Sequence, residues 1–137
     1  MQLSPAIIQL LTRALEDSGG REICAVLLEN VKGDQAAVRV PNWSRDFDSF
    51  FVARSEIKRI ERYAERNGYK ILAFIHSHRS SLELSDTDRM SLEHSNYPWV
   101  IVILSDSGLH TRFYESLAQS DVGLKEEIQR VKDTRFK

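Results

Sequence analysis

The chain has 137 residues, near the size of one domain and long enough to bury a single core. Hydrophobic residues make up 42% and charged residues 28%, the balance of a globular protein and not of a disordered or fibrous one. A formal net charge of −1 supplies no basic field for nucleic acid or an anionic membrane, and the single cysteine, Cys24, excludes both an intrachain disulfide framework and a Cys-x-x-Cys metal pair.

No apolar run approaches the roughly 18 residues of a membrane span. The first apolar stretch lacks a basic leader and is closed by Glu16 and Asp17, so it does not read as a signal peptide. These features predict a single domain over residues 1–137, cytoplasmic, with neither nucleic acid nor a membrane as partner.

Ser4-Pro5 opens the first helix, since serine caps and proline suits the first helical position. Ile7, Ile8, Leu10, Leu11, Ala14 and Leu15 form its apolar stripe, and Gly19-Gly20 stops it. Residues 22–29 run apolar without alternation, as a strand covered on both faces does. Asn30 to Asp34 is a turn and Ala36 to Val40 the partner strand of a hairpin. Pro41 to Ser49 is irregular, anchored by Trp43 and Phe47, with a short strand expected at Phe50 to Val52. Ser55 is the expected cap of a second helix over 56–67, whose inner stripe is Ile57, Ile60 and Ala64 and whose C′ residue is Gly68.

A strand over 70–76 follows. Ser85 begins a short helix to about Ser95, and Tyr97-Pro98 breaks it. Trp99 to Leu104 is another buried strand, Ser105 to Gly108 a turn, and Leu109 to Glu115 its hairpin partner. Residues 121–134, heavily charged and moderately amphipathic, read as a terminal helix. Strands mixed with helices and two hairpins predict an α/β fold, a sheet with helices packed against it.

The chemistry concentrates in residues 70–88. His76 and His78, one residue apart at the end of a buried strand, share a face and aim two imidazoles at one point. Strand ends are where α/β sheets tend to place their sites. Asp88 adds a carboxylate ten residues on, with Asp86 and then Glu83 as competitors. Two nitrogens, one oxygen and an open fourth position suit a catalytic zinc. Ser85 and Asp88 also read as a capping box, which fixes the first turn and so holds Asp88 still. Glu22 starts the first buried strand. If that strand lies beside 70–76, Glu22 faces the histidines and can serve as a base. His94, His110, Cys24, Trp43, Trp99, Phe50 and Phe51 read as packing or surface residues.

Taken together, Glu22, His76-Ser77-His78 and Ser85-Asp86-Thr87-Asp88 resemble the JAMM (MPN-plus) metalloprotease signature, E…H-x-H-P-x7-S-x-x-D with some variation in loop length. Glu22-Ile-Cys-Ala-Val-Leu-Leu is similar to that family's first core strand, and Tyr97-Pro98-Trp99-Val100 to the entry of a later one. The resemblance spans roughly residues 5–115 and is to the prokaryotic stand-alone branch. It implies a JAB/MPN-like (cytidine deaminase-like) mixed sheet flanked by helices. It also implies one Zn2+ per chain on His76, His78 and Asp88, with Glu22 as general base and Ser85 as the hydroxyl that steadies the oxyanion. The implied activity is cleavage of a peptide or isopeptide bond at the C-terminus of a ubiquitin-like or sulfur-carrier-type protein, with an operon-encoded activating enzyme as a further partner. Two positions depart from the pattern. Arg79 stands where the family has proline, which makes it a candidate for contact with substrate, and Ala25 replaces a glycine.

Two other readings compete. A metal-free MPN-type binding or scaffold module shares the fold but has lost the ligands, and all five key residues stand here. A RadC-like protein carries Asn between the histidines and a proline after them, which Ser77 and Arg79 do not match. A nucleobase deaminase needs a Pro-Cys-x-x-Cys motif that one cysteine cannot supply.

Overall fold

Ser4 is extended ahead of Pro5 and its Oγ accepts the Ile7 N–H at 3.3 Å, so helix α1 runs Pro5–Asp17 from the cap its sequence predicts. Ile7, Ile8, Leu11 and Ala14 are its buried stripe. The computed structural model of the chain describes residues 2–41, 54–86, 88–89, 96–115 and 125–130. Trp43, Phe47, the strand expected at Phe50 to Val52, and His94 lie outside them.

The remaining elements are β1 (Cys24–Asn30), β2 (Gln35–Val40), α2 (Arg54–Asn67), β3 (Tyr69–Ser77), β4 (Trp99–Ser105), β5 (Gly108–Tyr114) and β6 (Lys125–Gln129). The strands form one sheet in the order β2-β1-β3-β4-β5-β6. Only the central β3–β4 pair is parallel among them; the other four pairings are antiparallel. The fold is therefore a mixed α/β sheet with helices packed on it.

The unbroken apolar run of β1 has a direct cause, because alternate residues serve different helices. Ile23, Ala25 and Leu27 join Ala73, Ile75, Val100, Val102, Leu109 and Phe113 beneath the α1 stripe. Cys24, Val26 and Leu28 join Val40, Ile60 and Ala64 on the α2 side. A third cluster of Leu82, Trp99, Ile101 and Tyr114 continues the α2 side toward β5. One irregularity interrupts the alternation: Leu27 pairs with Ala73 but Leu28 with Ile71, so Leu72 is an extra residue in β3.

Two expectations are corrected. Ser55 lies inside the first turn of α2, which already includes Arg54, so it is not the cap. The stretch expected to be a terminal helix over 121–134 contains a strand instead, with β6 pairing antiparallel to β5 from Leu109↔Gln129 to Phe113↔Lys125. Its Lys, Glu and Gln residues favour helix, but the open edge of β5 offers a row of backbone donors and acceptors, and pairing to it outweighs the local preference. Of the short helix predicted from Ser85, the helical backbone at Asp86, Asp88 and Arg89 is seen, with the Arg89 N–H donating to the Ser85 carbonyl at 3.0 Å. Residues 90–95 lie outside the described ones. Among the described residues no helix is long and apolar enough to cross a membrane.

Candidate metal centre

The site forms where β3 ends and β1 begins. β1 and β3 are antiparallel neighbours, and Cys24 lies opposite His76. That register brings Glu22, two residues before Cys24, level with the end of β3 where His78 emerges. Alternation puts His76 on the α2 side of the sheet with Cys24 and Ile101, its partners across β1 and β4. The adjacency of Glu22 to the histidines, conditional in the sequence, is a property of the fold.

Ligand atoms of Glu22, His76 and His78 lie within 4.8 Å of one another. Asp88 is not one of those three but approaches both histidines. Its Oδ2 is 2.9 Å from His78 Nε2, and its Oδ1 is 4.0 Å from His76 Nε2. His76 Nδ1 is 3.9 Å from Glu22 Oε1, so the His76 ring lies between two carboxylates. Trp99 stands edge-on to that ring at 5.0 Å and 89°, walling it on the β4 side. Glu22, His76 and Asp88 are all buried.

Ser85 and Asp88 form the capping box. The Asp88 N–H donates to Ser85 Oγ at 3.1 Å, and the Ser85 N–H donates to Asp88 Oδ2 at 3.1 Å. The cap leaves Asp88 Oδ1 facing His76. Asp86 and Glu83, the competing carboxylates, are exposed and lie outside the cluster.

Burial is the largest influence on His76 and lowers its pKa; Glu22 and Asp88 push the other way without overturning it. For His78, burial again disfavours the charged ring. Here the hydrogen bond and charge of Asp88, with smaller help from Glu22 and the Ser81 carbonyl, outweigh it, and its pKa is raised. Asp88 is lowered: burial raises it, but the hydrogen bond from His78, the nearby His76 and the Ser85 N–H prevail.

The fit of this set to a metal follows from the wiring of His78. Its Nδ1 lies 3.0 Å from the Ser81 carbonyl, which only accepts, so Nδ1 carries the hydrogen. In the neutral ring Nε2 then presents a lone pair to the Asp88 carboxylate. Two lone pairs at 2.9 Å are incompatible unless a proton or a cation sits between them. A backbone carbonyl orienting the far nitrogen is the usual support of a metal-bound histidine. Tetrahedral zinc bonds of about 2.0–2.2 Å place ligand atoms roughly 3.4 Å apart. Asp88 meets the two histidines through different oxygens, Oδ2 at 2.9 Å from His78 and Oδ1 at 4.0 Å from His76. The residues present are of the kind that could hold a metal ion.

Arg79 lies outside the ligand cluster. Together with Arg21, Glu22, Ser77, His78, Gly20 and other residues it lines a cavity of about 220 Å³, and a Cβ at Gly20 would lie 3.6 Å from its Nη2. His110 hydrogen-bonds to Ser105 and Ser107 in the β4–β5 turn, a packing role as expected. Three features near the site escaped the sequence reading: the Ser81 carbonyl, the Ser77 hydroxyl, and the Tyr114 hydroxyl, which donates to the Leu82 carbonyl at 2.8 Å and pins the loop between His78 and Ser85. Backbone carbonyls carry no sequence signal. Ser77 did, as a hydroxyl enclosed between two histidines in a buried strand.

Two imidazoles and a carboxylate that could hold a metal ion, with Asp88 beside them, lie at the end of a helix-covered mixed α/β sheet. Residues 4–116 match the family of prokaryotic homologs of the JAB domain, and the chain belongs to that family. β6 falls beyond the matched residues. Three solved structures share the fold. Protein DSY2949 from Desulfitobacterium hafniense aligns at TM-score 0.68 and 17% identity, over 88% of this chain and 84% of its own. A Salinibacter ruber protein aligns at 0.59 and 23%, over 98% and 93%. AF2198, a JAB1/MPN domain protein from Archaeoglobus fulgidus, aligns at 0.59 and 16%, over 96% and 100%. No curated protein sequence matches the chain.

Proposed function

We propose that the protein is a zinc-dependent peptidase or isopeptidase that cleaves at the C-terminus of a ubiquitin-like or sulfur-carrier-type protein. One observation carries the reading: ligand atoms of Glu22, His76 and His78 converge within 4.8 Å. Membership of the JAB family supports the same reading.

In this reading His76, His78 and Asp88 hold the zinc, one per chain. The metal, when bound, polarises the scissile carbonyl and lowers the pKa of a coordinated water to about 7. Glu22 takes a proton from the attacking water and returns it to the leaving nitrogen, so it ends as it began. Ser85 Oγ accepts the Asp88 N–H, which leaves its own hydroxyl proton to donate to the oxyanion. Arg79, which lines the cavity together with Glu22, is the proposed contact with substrate. A gene-neighbour activating enzyme and a cytoplasmic setting complete the proposal.

The test is metal analysis together with cleavage of a C-terminal fusion to a ubiquitin-like protein, with and without chelator. About one zinc per chain and chelator-sensitive cleavage are expected. Glu22→Gln should keep its zinc while cleavage falls by about 10²–10⁴-fold, the usual contribution of a positioned base. Absence of zinc together with absence of chelator-sensitive cleavage would sink the hydrolase reading.

A further inference from the structure

Ser77 stands between the two histidines, and its side chain points the other way. Alternation sends it to the α1 side of the sheet, behind the metal cluster. It is 1% exposed. Its hydroxyl oxygen accepts the Ile23 N–H at 2.8 Å, and its own N–H donates to the Ile23 carbonyl at 3.0 Å. Ile23 is thus held at both its polar backbone groups by one residue.

The pattern departs from an ordinary ladder. In an antiparallel hydrogen-bonded pair, each residue gives its N–H to the other's carbonyl. Here the second bond goes to the Ser77 hydroxyl and not to its carbonyl. Regular pairing of β1 begins only at Cys24, so Ile23 and Glu22 precede the strand. Beyond Ser77 the β3–β4 ladder runs on, the His78 N–H donating to the Val102 carbonyl at 3.0 Å as the Phe74 N–H donates to the Pro98 carbonyl at 2.9 Å. The hydroxyl reconciles the two demands. It takes the place of the Ser77 carbonyl in the β1 ladder and satisfies the buried Ile23 N–H, while the next residue, His78, stays bonded to β4. Without it, that N–H loses its acceptor unless the Ser77 carbonyl moves to take it, and that carbonyl is joined directly to His78.

We propose that Ser77 is a positioning residue, a clamp from behind the sheet that fixes Glu22 relative to His78. The clamp deepens the hydrolase reading and rests on it only for its effect on turnover. Its own geometry concerns Ile23 and is measurable in zinc-free protein.

The experiment compares Ser77→Ala and Ser77→Thr with the wild type. Threonine keeps the hydroxyl, so the pair separates loss of the bond from mere change at the site. Amide exchange at Ile23 is read by NMR in chelator-treated protein. The alanine variant should exchange about tenfold faster or more, the loss of one buried hydrogen bond, while the threonine variant stays near wild type. Zinc affinity should fall about tenfold in Ser77→Ala and recover in Ser77→Thr, as for support of a ligand from its outer shell. Turnover in Ser77→Ala should fall through kcat more than through KM, because Glu22 acts in the chemical step. Wild-type protection at Ile23 in Ser77→Ala overturns the proposal, as does equal impairment of the alanine and threonine variants. A wild type that binds no zinc refutes the hydrolase reading, while the exchange at Ile23 still decides the clamp.

Discussion

Asp88→Asn isolates the charge of one carboxylate from its shape. Asp88 Oδ2 accepts two hydrogen bonds, from His78 Nε2 at 2.9 Å and from the Ser85 N–H at 3.1 Å. An asparagine amide oxygen has two lone pairs and can take both, so the substitution removes charge and little else. Side-chain exposures of 7% for Asp88 and 14% for His78 leave little solvent to screen the pair. Hydrogen bonds to charged groups contribute roughly 1.5–3 kcal/mol against 0.5–1.5 for neutral ones, so zinc-free Asp88→Asn should lose about 1 kcal/mol where His78 is protonated. The pH window follows from the shifts. His78 is raised above its ordinary 6.5, so its contribution is full below 6.5 and lost as pH rises through the raised value. Asp88 is lowered from 3.8, so its contribution is full above 3.8 and lost as pH falls through the lowered value. The pair therefore stabilises most between 3.8 and 6.5. His76, lowered by burial, destabilises the fold on acidification, and more so in the variant, which loses the opposing charge of Asp88. Above the His78 transition the wild-type pair sets two lone pairs against each other, so the cost should shrink; an asparagine NH2 turned to Nε2 would give up the Ser85 N–H, which bonds the same oxygen. Urea denaturation of chelator-treated wild type and variant at pH 5.5 and 8.5 measures both costs. An equal cost at the two pH values, or a larger one at 8.5, would refute the charged pair and with it the assigned His78 tautomer.

Two further predictions concern residues next to the site. Cys24 is buried and its thiol is pushed up to about 12, by burial first and then by the charge of Glu22. A disulfide reagent at pH 8 should therefore detect no thiol in the native protein and one after denaturation; rapid native labelling would show that the start of β1 is open. Tyr114→Phe removes the hydroxyl that donates to the buried Leu82 carbonyl. It should lower stability by about 1–2 kcal/mol, as for a lost buried hydrogen bond, and weaken zinc affinity by loosening the loop that carries Ser81 and Ser85. Unchanged affinity in a measurably destabilised variant would separate that loop from the metal centre.

The legible parts of the sequence are those where one local rule decides. Ser4-Pro5 marks the start of α1, and the apolar run after Glu22 marks a strand sandwiched between helices. His76 and His78 on one face, and Ser85 with Asp88 as a cap, follow from period and spacing alone. The illegible parts depend on partners. β6 has the composition of a helix and becomes a strand because β5 leaves an edge to pair with; its charged residues are those that suit an exposed edge. The extra residue at Leu72 is a shift in the pairing of β1 with β3 that no residue preference announces. The Ser81 carbonyl sets the His78 tautomer through a backbone group that no side-chain pattern reveals.

Alternation along β3 divides labour between the two faces of the sheet. His76 turns toward Glu22 and Asp88, while Ser77 turns toward the α1 core and takes hold of Ile23. A metal centre requires its ligands to converge without the freedom to drift, and at the ragged end of a sheet the ladder no longer supplies that restraint. Bonds between separate elements replace it. Ser77 ties the approach to β1, the His78 N–H ties the exit of β3 to β4, and Tyr114 on β5 holds the following loop at Leu82. The capping box then fixes Asp88 at the first turn after that loop. Only one of these restraints, the cap, is local in sequence. The ligand motif is therefore readable as residues at set spacings, but its rigidity is a product of the fold. Substitutions at Ser77 or Tyr114 should for that reason disturb the site without altering any ligand.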